Sequence, residues 1–240
     1  LFAGAGIAWT VKQAPDAPPA LDARFDVILP AGSIFSSNYN RIITISPDAR
    51  FIAYTSDGLQ LRPLDDTRST AVQGADQARS PAFSADSRQI AYWESGVVKR
   101  AAVDGGASVV ITPLDKRPMG MHWAADGHIY IGRADEGIWR VPDSGGALER
   151  VIAVEPGEYV HGPEPVPDSD WILFTLCRAV RGWSNASIVA QSSSTGERRV
   201  LVSRGREVRV VGSGYLTYVV SGTLFAVPFD RDAMTVTGSP

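Results

Sequence analysis

Apolar and polar positions alternate in short runs along this chain, and the runs recur in a fixed order. The clearest example is Ile43–Asp57, ITISPDARFIAYTSD, which predicts a strand, a tight turn and a second strand. The same order returns at Ala82–Ser95, Met121–Asp135 and Glu164–Cys177, and in a worn form at Val208–Ser221. The runs FIAY, QIAYW, HIYI, WILF and YLTYVV are short, rich in β-branched and aromatic residues, and bounded by polar turns. That composition suits strands buried on both faces. Each unit goes on with a glycine turn (Gly58, Gly96, Gly137, Gly222), a third strand, a polar turn and a closing fourth strand.

The turn aspartates Asp48, Asp86, Asp126 and Asp168 fall 38, 40 and 42 residues apart. A period near 40 residues of all-strand pattern predicts an all-β propeller of four-stranded antiparallel blades. About five repeats are present: 41–74, 80–112, 120–152, 162–202 and 208–238. Five blades either close a ring or form part of an incomplete one. An ordinary sandwich would show turn signals every 8–12 residues without this repeated order of turn types. Within the first turn, Pro47 fixes φ and Asp48 is placed to hold backbone amides. Pro47, Asp48, Asp86, Asp126 and Asp168 are therefore expected to be structural turn residues.

The remaining segments differ in texture. Residues 1–11, LFAGAGIAWTV, are uncharged and are expected to be the end of a transmembrane helix, with Trp9 as an interface residue. Residues 12–24 are rich in Pro and Ala and read as a linker. The propeller is expected over 25–240, with Phe25–Pro30 as an orphan strand that fastens the ring.

Composition adds mainly exclusions. With 23 basic and 26 acidic residues the net charge is −3, so no broad attraction to nucleic acid is expected. The single Cys177 lies in an apolar run and excludes an internal disulfide. His122, His128 and His161 lack the spacing of a zinc pair, and no turn has the dense acidic pattern of a calcium loop. No metal and no cofactor is expected. The nearest approach to a nucleophile elbow is Gly182-Trp183-Ser184-Asn185-Ala186. A strand pattern follows it where an elbow needs a helix, and the last histidine precedes Ser184. No catalytic residue is expected.

A binding face is the expectation that remains. Loops leading into each innermost strand share one face with the loops between second and third strands. They bring Arg41, Arg79, Arg117, His161 and Arg206 toward the channel mouth. The long loop 178–185 adds Arg178, Arg181 and Trp183, residue types common at interface hot spots. A protein, a peptide or a small ligand is the expected partner there.

The runs ISPDARFIAY, SPAFSADSRQIAYW, GIWRVPDSGGALERV and TLFAVPFDRDAMTVTG resemble TolB-type propeller repeats. They are most similar to the extracytoplasmic propeller of bacterial transmembrane serine/threonine kinases. Ala85 and Ala125 stand where such turns usually carry Pro, and the fifth repeat has Gly-Ser-Gly in place of the Pro-Asp turn. The resemblance implies a non-enzymatic sensing or interaction domain outside the cell membrane, anchored by the N-terminal helix alone. A kinase would lie upstream, since no phosphate loop, His-Arg-Asp or Asp-Phe-Gly sequence is present here. A soluble periplasmic TolB-like scaffold and the non-catalytic domain of a serine peptidase are the alternatives.

Overall fold

The computed structural model of the protein describes residues 42–178, 182–212 and 214–240. The apolar stretch 1–11, the linker 12–24, the strand expected at 25–30, and Arg41 and Arg181 all lie outside these residues. Among the described residues no helix is long and apolar enough to cross a membrane.

Among the described residues, twenty strands form five four-stranded antiparallel sheets, each built in chain order. Blade one holds β1 (Ile43–Ile45), β2 (Phe51–Ser56), β3 (Gly58–Pro63) and β4 (Thr70–Ala71). Blade two holds β5 (Arg79–Phe83), β6 (Gln89–Glu94), β7 (Val97–Ala102) and β8 (Val109–Pro113). Blade three holds β9 (Met121–Trp123), β10 (His128–Gly132), β11 (Ile138–Pro142) and β12 (Glu149–Ile152). Blade four holds β13 (Tyr159–Pro165), β14 (Trp171–Cys177), β15 (Ser187–Ser192) and β16 (Arg198–Val202). Blade five holds β17 (Arg206–Val211), β18 (Tyr215–Val220), β19 (Thr223–Asp230) and β20 (Thr235–Val236). The first strand of each sheet lies innermost, and from blade one to blade five each touches the first strand of the blade that follows it.

The turns explain why these residues pair. In blade one the Ser46 hydroxyl donates to Asp48 Oδ1 at 2.6 Å, and the Arg50 amide donates to the same oxygen at 3.0 Å. Ser84, Asp86 and Arg88 repeat this in blade two. Asp126 accepts the His128 amide at 3.0 Å. Asp168 departs from the pattern: it takes the left-handed position itself (φ 58°), and the Trp171 amide donates to the Ser169 hydroxyl instead. The Asp48 amide also donates to Ser87 Oγ at 3.1 Å, tying the turn of blade one to that of blade two.

These turns carry a pH dependence. The Ser46 hydroxyl is the largest cause holding the Asp48 carboxyl below its ordinary value of 3.8, and Ser84 does the same for Asp86. For Glu158, burial pushes up, but the Arg198 guanidinium and the Glu155 amide outweigh it and hold the group below 4.5. A carboxyl depressed in the folded state adds stability above its unfolded value, and that stability is lost as pH falls through the folded value. The midpoint of denaturation is therefore expected to drop between about pH 5 and pH 3. A titration of melting temperature checks this, and Asp48→Asn with Asp86→Asn should flatten the slope.

The core is divided among the blades. One apolar cluster joins blades one and two around Leu59, Phe83 and Tyr92. A second joins two and three around Leu114, Met121 and Ile131, and a third joins three and four around Ile138, Phe174 and Val189. A fourth joins four and five around Leu173, Leu216 and Phe229. Among the described residues no such cluster joins blade five back to blade one. A cavity of about 1160 Å³ lies there instead, continuous with the channel and lined by Ile43, Ile45, Ile52, Val211, Thr217 and Leu224.

Candidate functional site

The mouth of the channel is shaped by a repeated backbone feature. Near the start of four inner strands one residue is left-handed: Ser80 (φ 53°), Gly120 (φ 91°), Gly162 (φ 61°) and Glu207 (φ 57°). In β5, β13 and β17 the pairing register slips at that point, as a β-bulge does. The residue just before it, Arg79, His161 or Arg206, is thereby set at the mouth. Met119 holds the equivalent place in blade three, while Arg117 lies two residues earlier in an exposed loop. Arg79, His161 and Arg206, expected in entry loops, belong to strands β5, β13 and β17, whose bulges interrupt the alternation that marks a strand.

Two groups of mouth residues come together. His161 is buried, with Nδ1 3.2 Å from Glu207 Oε1, and its ring meets Trp183 edge-on at 5.8 Å. Glu207 is in turn fixed through its amide, which donates to Thr175 Oγ1 at 3.1 Å. Trp183 opens a short 3-10 helix, Trp183–Asn185, and lines a small cleft with Arg204 and Arg206. Arg79 and Arg117 form the second group. Burial lowers the Arg79 guanidinium, the neighbouring Arg117 cation lowers it further, and the Glu94 carboxylate offsets only part of this. Its polar contact is the Ala78 carbonyl at 2.8 Å, and among the described residues no carboxylate lies within ion-pair distance of Arg79, Arg117 or Arg206. Arg178 stands apart, highly exposed, with Nη2 3.6 Å from Glu158.

Deeper in the channel lies a cluster that the sequence did not reveal. Buried Glu164 accepts from His122 Nδ1 at 2.9 Å, from Arg209 Nη1 at 2.8 Å and from the Val210 amide at 3.2 Å. Its partners come from the inner strands of blades three and five, so one carboxylate bridges three blades. Each oxygen is engaged by a donor, which makes the group a lock between strands.

Ser184 lies inside the 3-10 helix, and the chain then runs through Ala186 into the strand β15. Among the described residues no group of three or more His, Cys, Asp or Glu side chains is placed to hold a metal ion.

No family model and no curated protein matches this chain. Solved structures do share its fold. A nidogen/laminin complex matches with a TM-score of 0.62 at 15% identity, covering 82% of this chain and 77% of that one. A protein from Agrobacterium tumefaciens described as TolB matches at 0.56 and 17% identity, covering 71% and 70%. TolB from Acinetobacter baumannii matches at 0.57 and 15% identity, covering 82% of this chain and 55% of that one. At these identities the likeness is one of architecture: the chain is a β-propeller of TolB-like fold.

Proposed function

We propose that this propeller is a non-catalytic capture domain whose partner seats on the channel mouth, at Arg79, Arg117, His161, Trp183 and Arg206. The observation that carries this reading is the Arg79–Arg117 pair, two neighbouring cations whose one acting carboxylate, Glu94, is beyond ion-pair distance of Arg79 and is itself paired with Lys99. A partly buried cation beside a like charge is costly in the free protein, and an anionic group on a partner relieves that cost. Trp183, braced on His161, supplies the kind of flat aromatic anchor that dominates binding energy. The repeat sequences favour placing this domain outside the cell membrane, as the ectodomain of an anchored bacterial serine/threonine kinase. The TolB-like fold supports a soluble envelope scaffold equally well. A kinase domain encoded upstream of Leu1 would support the first reading, and a signal peptide there the second.

The test is capture from envelope extracts, with bound proteins and peptides quantified. Trp183→Ala combined with Arg206→Ala is expected to cost about 2 kcal/mol of binding, roughly thirtyfold in affinity. Its melting temperature should stay near that of the parent. An unchanged set of captured molecules would remove the mouth as the binding face.

A further inference from the structure

One cleft at the mouth is lined by two cations and no acid. It lies between the loop that carries Trp183 in blade four and the start of blade five, holds about 80 Å³, and is lined by Trp183, Ser184, Arg204, Arg206 and Ser221 with the backbone around them. Among the described residues no carboxylate lies within ion-pair distance of Arg204 or Arg206. Glu207, next to Arg206 in the chain, is turned instead to His161, with Oε1 3.2 Å from its Nδ1.

The backbone brings the two arginines together. Gly205, between them, is buried on the seam of blades four and five, where a Cβ would lie 2.9 Å from Tyr218 Cδ2 and 3.4 Å from Ile188 Cγ1. A glycine lets the chain run this close to both blades. Arg204 and Arg206 flank it, both exposed, and both reach the same cleft. A neutral acceptor steadies the Arg204 guanidinium: Nη2 donates to Asn185 Oδ1 at 3.2 Å. That contact fixes its position and leaves its charge uncancelled, which is preorganisation for an anion. Two like charges at a concave site also raise the local pull on an anion.

We infer that this cleft is a slot for one carboxylate side chain, Asp or Glu, of a peptide partner. The inference rests on the reading of the mouth as a capture face and names the chemistry that one part of it takes. Guanidinium groups match carboxylates in charge and in the geometry of their paired donors. At ~30 Å³ per water, about 80 Å³ is the space of roughly two to three waters, room for a carboxylate on a methylene stem and little more. Trp183 forms one wall, against which such a stem can pack. A chain-terminal carboxylate fits less well. Such ends are held by backbone amides, and here the Gly205 amide already donates to the Ala186 carbonyl at 2.8 Å. A chain end would also bring the terminal residue's own side chain into a cleft without space for it.

Titration of the full chain with blocked amino acids, read by NMR from the tryptophan indole N–H signals, tests this. The chain has six tryptophans, and Trp183→Phe identifies the signal of Trp183. N-acetylglutamic acid α-amide, whose carboxylate is on the side chain, is expected to shift that signal saturably, with a Kd in the millimolar range. N-acetylglutamine amide should leave it in place. Arg206→Gln should weaken the glutamic acid compound by about tenfold or more, as loss of a charged contact does. Arg88→Gln removes an exposed cation from the face opposite the mouth and should change nothing. No shift at all, an equal shift with the glutamine compound, or an equal loss in Arg88→Gln would overturn the slot. So would a larger response to N-acetylalanine, whose carboxylate is at the chain end. The captured set judges the capture reading separately. A failed titration, with capture still lost on changing Trp183 and Arg206, removes the slot alone. A normal titration beside an unchanged captured set keeps the carboxylate slot and removes the capture reading.

Discussion

Gly137→Ala is expected to destabilise the propeller by at least about 4 kcal/mol and to lower its melting temperature by roughly 10 °C. Gly137 sits at φ 90° in the turn between β10 and β11, and a Cβ there would lie 2.0 Å from the Ile152 carbonyl oxygen. That oxygen belongs to β12, so no side-chain rotation relieves the clash, and the outer strand itself must move. Gly96 is the natural control. It occupies the matching turn of blade two at φ 88°, with nothing within 4 Å of the place a methyl group would take. Gly96→Ala should therefore cost only the left-handed strain, about 1–2 kcal/mol. Calorimetry of the two variants separates conformational strain from backbone collision, and equal melting temperatures would show that the Ile152 carbonyl is no barrier.

Glu164→Ala is the second large effect, expected at about 3 kcal/mol, the lower part of the range for removing one partner of a buried ion pair. The low end applies because His122 and Arg209 keep roughly a quarter of their side-chain surface in the channel, 28% and 29%, where water can reach them. The loss also strands the Val210 amide. Glu149→Ala is the contrast: Glu149 meets Arg140 at a similar 2.8 Å, but it is 61% exposed. Such a surface pair is worth under about 1 kcal/mol. Chemical denaturation of both variants measures the difference. If Glu149→Ala costs as much as Glu164→Ala, distance rather than burial governs the energetics of these pairs.

The architecture was legible because each blade repeats its own local chemistry. Asp48 and Asp86 cap their turns through residues two positions away, and the glycine turns occupy matching positions; such signals survive in a linear reading. The Glu164 cluster has no local signal. Its partners lie 42 and 45 residues away, one blade before and one blade after, and the bulge at Gly162 breaks the alternation that would have aligned Glu164 with an inner strand. His161 was hidden by the same bulge. Asp168 shows the limit of repeat matching, because an identical residue at the matching position took a different φ and gave its amide-holding role to Ser169. That no apolar cluster joins blades five and one among the described residues was equally out of reach, since it depends on the summed angle of blades rather than on any one of them. Arg79 and Arg117 could be placed on one face from topology, but not their nearness to each other.

The side between blades five and one, where no apolar cluster forms among the described residues, has a mechanical consequence. In a stack where each sheet contacts only its neighbours, stability is a sum of units and junctions. With no apolar junction there among the described residues, the described stack can spread or tighten like a fan, and the width of the pore follows. Whatever occupies the wedge at one side thus sets the spacing of Arg79, His161 and Arg206 at the rim. Occupancy of the wedge and affinity at the rim are then coupled, and by thermodynamic reciprocity a molecule gripped at the rim must tighten the wedge in equal measure.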